Sequence, residues 1–140
     1  MTHLKRALAI AAVTGASAAA LMAAAPGASA TASRVAYNGA CGSGYTVVNS
    51  TEVGDKGTAY LTYSSATGKN CLAAIRNVAG EPVPMTIYLS RSDTEIHDIY
   101  DSGNYRSYAG PIYVSARGTC VDWWGWIDGV RFEKAETNCG

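Results

Sequence analysis

Four cysteines, Cys41, Cys71, Cys120 and Cys139, narrow the folds open to this chain of 140 residues. None sits in a C-x-x-C pair, and an even number in an exported chain reads as two disulfides in preference to a metal site. Export is the expectation from the opening residues. Lys5 and Arg6 supply a positive segment, residues 7–25 form an uncharged, alanine-rich run, and Pro26-Gly27 breaks it. Ala28-Ser29-Ala30 then puts small side chains at the two points a signal peptidase accepts. We therefore read residues 1–30 as a cleavable secretory signal peptide and residues 31–140 as a single secreted β domain. A membrane anchor is the competing reading, because 19 uncharged residues nearly span a bilayer core of about 30 Å. Alanine, serine, threonine and glycine make the run too weakly hydrophobic for that role. With no cysteine at the cleavage point to carry a lipid, the expectation is a protein with no membrane partner after cleavage.

Three pairings of four cysteines exist, and the turns choose among them. Gly54-Asp-Lys-Gly57 is a strong turn signal that brings the neighbourhood of Cys41 opposite that of Cys71. Asp128-Gly129, a dipeptide favoured in tight hairpins, does the same for Cys120 and Cys139. The expected bridges are Cys41–Cys71 and Cys120–Cys139. About 110 residues in one domain bury only a modest core, so such bridges carry weight.

Beyond Tyr45 the pattern is short β-branched and aromatic runs separated by glycine, serine and asparagine, with no sustained helical period. Strands are expected at 45–49, 58–63, 71–77, 85–90, 111–116, 119–127 and 130–134. Residues 92–100 offer both a capped helical turn and a strand through Thr94, Ile96, Asp98 and Tyr100, and the surroundings favour the strand. Alternation in Thr58-Ala-Tyr60-Leu-Thr62 and Ile112-Tyr-Val114-Ser-Ala116 suits half-buried strands on facing sheets. The fold class is all-β: a small disulfide-stapled β-sandwich or flattened barrel of about seven or eight strands. The short echo between Gly68-Lys-Asn-Cys71 and Arg117-Gly-Thr-Cys120 covers too few residues to establish a duplication.

Removing Lys5 and Arg6 leaves nine Lys and Arg against eleven Asp and Glu, a formal charge of −2 that excludes nucleic acid as the expected partner. His97 is the one histidine beyond the leader. Its neighbour Asp98 would point to the opposite face of a strand, so a triad with Ser92 or Ser102 is poorly supported. Asp93, Glu95, Asp98 and Asp101 make an acidic patch, but their spacing fits no EF-hand loop, and no two stand out as a glycosidase pair. Cys41-Gly-Ser-Gly44 is better explained by a disulfide than by a thiolate nucleophile. Asn49-Ser-Thr51 is a glycosylation sequon, of consequence only in a host with the machinery. We assign no catalytic residue, no metal ligand and no cofactor.

The segment Val121-Asp122-Trp123-Trp124-Gly125-Trp126-Ile127 gathers all three tryptophans. On a strand, Trp124 and Trp126 share one face and Trp123 takes the other, so the three cannot enter one core. Trp123, Trp124, Trp126 and Tyr113 are the candidate ligand-binding aromatics, with Tyr100, Tyr105 and Tyr108 as further stacking or anchoring rings. The plainer alternative is that one face fills the core and the other covers a sheet edge or a disulfide.

These residues resemble the spore-associated protein A family of secreted proteins from filamentous actinobacteria. The resemblance runs through Cys41-Gly-x-Gly44-Tyr45-x-Val47-Val48-Asn49, Gly57-Thr-x-Tyr60-Leu-Thr-Tyr63, Gly68-Lys-Asn-Cys71 with Ile75-Arg76-Asn77, Tyr108-Ala-Gly-Pro111-Ile-Tyr113-Val114 and Cys120-Val121-Asp122-Trp123. It covers most of residues 31–140. It implies a small exported protein of the spore envelope with no established enzymatic activity. Trp124-Gly-Trp126 is richer in indole than the family pattern, so a ligand role for those rings rests on this sequence alone. The resulting expectation is a secreted, extracellular, non-enzymatic protein of the spore or cell surface. Its expected partner is a cell-wall or spore-surface polymer, or another envelope protein. The alternatives are a glycan-binding module and a secreted inhibitor of proteases or glycosidases. The inhibitor would present Thr67-Gly-Lys69-Asn or Arg117-Gly-Thr on a rigid loop.

Overall fold

The computed structural model describes Gly27, residues 33–94 and residues 99–140. Gly27 apart, the expected leader and its cleavage point lie outside the described residues, as do residues 95–98 with His97. Eight strands make up the regular structure: β1 (Thr46–Val53), β2 (Gly57–Ser64), β3 (Lys69–Arg76), β4 (Val83–Arg91), β5 (Ile99–Tyr105), β6 (Tyr108–Ser115), β7 (Val121–Ile127) and β8 (Val130–Thr137). They form two four-stranded sheets, ordered β1-β2-β3-β6 and β5-β4-β7-β8, with every neighbouring pair antiparallel. Neither sheet closes on itself, so the architecture is a β-sandwich and not a flattened barrel.

Period-two alternation sets the inward face of the second sheet. In β4, Met85, Ile87 and Leu89 are buried while Thr86 and Tyr88 are only half-buried. In β7, Val121, Trp123, Gly125 and Ile127 point in, and Asp122, Trp124 and Trp126 point out. Leu61, Leu72 and Ile112 of the first sheet meet Ile87, Leu89, Trp123 and Phe132 of the second in a single cluster. Each fully buried aliphatic side chain there contributes about 1.5–3 kcal/mol.

Strand β2 departs from alternation: Thr58, Ala59, Tyr60, Leu61 and Thr62 are all buried. The cause is a strap formed by residues 33–45, which lies along the outer face of the first sheet. At one end the Val35 amide donates to Asn77 Oδ1 (3.3 Å), and the Tyr60 hydroxyl donates to the Val35 carbonyl. The Tyr37 ring packs 5.5 Å from that of Tyr60, with the Arg34 guanidinium 5.6 Å above the Tyr60 ring. At the other end Cys41 is bonded to Cys71, and the Tyr113 hydroxyl donates to the Cys41 carbonyl at 3.0 Å.

The disulfides are Cys41–Cys71 and Cys120–Cys139, the pairs that the turns suggest. Only the second arises as a single hairpin. There Ile127 faces Val130 and Val121 faces Thr137, and a bulge adds one residue on β8, so that Cys139 comes within one position of the register opposite Cys120. The first needs two hairpins. β1 pairs with β2 only as far as Thr46↔Tyr63, and β3 then returns from Tyr63↔Asn70. Cys71 thereby comes back to the end of the sheet at which the strap enters β1.

Strand β5 continues past Tyr100 through Ser102-Gly103-Asn104, while residues 95–98 of the expected strand lie outside the described residues. Pairing with β4 supplies its hydrogen bonds, with Gly103 opposite Met85. A side chain at Gly103 would meet the Tyr105 ring at 3.1–3.3 Å, so glycine there makes room for that ring to fold back. The Tyr105 hydroxyl donates to Asp101 Oδ1, and the other carboxylate oxygen accepts the Gly110 amide of β6 at 2.7 Å. Asp101 thus ties the adjacent edges of the two sheets. Its hydrogen bond, with a smaller effect of burial, pushes the Tyr105 hydroxyl up to about 12.

Three outcomes follow. Replacing Cys41 and Cys71 together by serine should lower unfolding free energy by about 2–4 kcal/mol in urea titrations, with the Cys120–Cys139 bridge intact; an unchanged midpoint would show that the strap needs no covalent pin. Gly125→Ala would place a methyl group 2.1 Å from the Thr86 carbonyl oxygen, across from the neighbouring strand. Overpacking of that kind should cost about 1–3 kcal/mol, read as a lower thermal midpoint. In alkaline absorbance titrations one tyrosine should ionise near pH 12 and vanish from the curve in Tyr105→Phe. Because the folded value is raised, the stabilisation from this bond is full below about pH 10 and is lost as pH rises through about 12. Titration of every tyrosine near its ordinary value would refute the link.

Candidate functional site

The two outer faces of the sandwich differ. The strap covers the middle of the first sheet, whereas the outer face of the second carries a cross-strand row of rings. Register places Tyr100 of β5 opposite Tyr88 of β4, Tyr88 opposite Trp124 of β7, and Trp124 opposite Glu133 of β8. The Tyr88 and Trp124 rings are nearly parallel, 8° apart with centroids 5.3 Å apart, and Tyr100 stacks on Tyr88 at 5.7 Å. One pleat further along, Ser102, Thr86, Trp126 and Arg131 form a second row. The Thr86 and Ser102 hydroxyls share a 2.8 Å hydrogen bond. Trp126 stands at 82° to Tyr88 and is overlaid by the Arg131 guanidinium at 5.6 Å. Arg131 also donates to Glu133 at 2.9 Å.

The four aromatic candidates do not converge. Trp123 is fully buried against Phe132, and its indole N–H donates to Thr137 Oγ1 at 2.8 Å. It offers no face to a ligand and leaves the candidate set, because its strand parity points it into the core. Tyr113 stands on the first sheet, where its ring meets Tyr45 and its hydroxyl holds the strap. Burial, followed by the nearby tyrosines, raises the pKa of that hydroxyl. Trp124 and Trp126 do share the outer face of the second sheet. Tyr88 escapes a reading based on the tryptophan cluster, although its parity opposite to Ile87 and Leu89 is the signal that could have found it. Stacking also turns ring faces towards each other: Tyr88 has a neighbour on either side, so the row presents mainly its rims and the open surface of Tyr100, which is 63% exposed.

The polar candidates have other partners. Asp93 takes a two-pronged bond from Arg91 (2.9 and 2.7 Å), which holds its carboxyl below the ordinary range. Asp101 ties β5 to β6, while Glu95, His97 and Asp98 lie outside the described residues. Ser92 donates to Asp122 at 2.6 Å, Ser102 is paired with Thr86, and Cys41 is in a disulfide. Among the described residues no cluster of His, Cys, Asp and Glu has metal-binding geometry. Of the basic turns, Arg117 donates to the Ser65 carbonyl at 2.8 Å and Lys69 is exposed.

No protein-family model and no solved structure matches the chain. Among curated proteins it is similar to spore-associated protein A of Streptomyces coelicolor, with 55% identity over 100 residues. That alignment takes in 71% of this chain and 64% of the relative, a little under two thirds of the relative's own length. That identity supports the spore-associated protein A family for this chain.

Proposed function

We propose that the protein is exported, has no enzymatic activity, and associates with the spore or cell envelope through the outer face of its second sheet, where it meets a wall polymer or another envelope protein. The observation that carries the reading is the row of Tyr100, Tyr88 and Trp124, flanked by Trp126, on a sandwich whose opposite face is covered across its middle by its own strap. Large rings on a rigid sheet contribute contact area with little loss of side-chain freedom on binding. The name of its Streptomyces relative, spore-associated protein A, gives the setting. The acidic side chains Asp93 and Asp101 serve structural contacts, which favours a binding role over hydrolysis.

Sedimentation with purified spore walls tests this directly. The oxidised protein should co-sediment saturably, and Tyr100→Ala/Trp124→Ala, verified as folded by circular dichroism, should bind at least about tenfold more weakly, a loss of about 1.4 kcal/mol. Equal sedimentation of both proteins would move attachment to another surface, and none by either would end the reading.

A further inference from the structure

Resting on that reading, we infer that the ligand of the aromatic face is an extended, uncharged glycan lying across the strands, and not an anionic phosphate polymer. The first ground is the chemistry of the rims. Among the described residues, the Tyr88 and Tyr100 hydroxyls and the Trp124 and Trp126 indole N–H groups make no intramolecular hydrogen bond, whereas buried Trp123 has its partner in Thr137. Stacking leaves these rims, more than the ring faces, available to a ligand. A ligand that spends such donors must be dense in hydroxyl or amide oxygens, and a purely apolar protein surface would leave them unpaired at a cost.

The second ground is charge. Among the described residues, the charged side chains that register places on this face are Arg131, Glu133 and Asp122. Arg131 is held by Glu133 and by the Trp126 ring, and Asp122 accepts from Ser92 and from the Glu136 amide. One cation against two carboxylates gives a polyphosphate nothing to neutralise it, and a neutral chain meets no opposing field. The third ground is direction. Tyr100, Tyr88 and Trp124 follow the cross-strand register, so the three rings span two inter-strand spacings, about 10 Å, with Glu133 beyond them. A straight row of that length suits an extended β-linked chain better than a coiled one.

The test is pull-down of the oxidised protein on insoluble chitin and cellulose, both uncharged β-linked glycans, beside intact spore walls and immobilised poly(glycerol phosphate). Binding to a neutral glycan that survives 1 M salt is expected, because screening does not touch uncharged contacts. Tyr88→Phe/Tyr100→Phe keeps both rings and removes only two hydroxyls, and should bind about tenfold more weakly if each hydroxyl makes one net hydrogen bond. Full binding by that variant would overturn the role of the rims. Walls bound but neither neutral glycan retained, or binding carried by poly(glycerol phosphate) and lost in salt, would overturn the neutral-glycan inference and leave envelope association standing. Failure on walls would remove the envelope reading instead.

Discussion

Trp123 holds the second sheet in a fixed sense. Its indole is fully enclosed between the sheets, and its one polar atom is bonded to Thr137 on the neighbouring strand. A slip of β7 by one residue would drive Asp122 and Trp124 inward and expose Trp123, so burial of this single ring fixes strand parity. Gly125 then lets the strands approach, since a side chain there would collide with the β4 backbone. Once that parity is set, Trp124 and Trp126 have no choice but to face outward.

The first sheet solves the same problem in a different way. Its outer face also carries large rings, but residues 33–45 lie over them and are tied at Asn77, Tyr60, Tyr113 and Cys71. Apolar surface that would otherwise face water is thereby used for stability. The Asp101 carboxylate adds a polar link at the edge, joining β5 to β6 where the sheets meet. One face is thus covered across its middle and the other left without a strap, on a frame held by two disulfides, a layout that suits the proposed binding role.

The association proposed for the second sheet would draw on rigidity more than on concavity. The rings are stacked against one another before any ligand arrives, so little side-chain entropy remains to be lost on contact. The same stacking limits how they can be used. Faces already occupied by neighbours leave the hydroxyl and N–H rims as the groups open to contact, a geometry distinct from a flat platform of open indoles.

Much of this was legible in the chain itself. Short β-branched and aromatic runs placed most strands, the turns at Gly54-Asp-Lys-Gly57 and Asp128-Gly129 suggested the two bridges, and parity within β7 separated Trp123 from Trp124 and Trp126. Those features are local, because a strand's period and a turn's backbone preference are properties of consecutive residues. The composition of the face was not local. That Tyr88 and Tyr100 stand beside Trp124, that Tyr113 belongs to the opposite sheet, and that Asp101 joins two edges all depend on which strands became neighbours. Strand order is decided by how two sheets bury a common core, a balance summed over the whole molecule. The sequence by itself determined which side of each strand a residue would occupy; only the tertiary structure decided what would stand next to it.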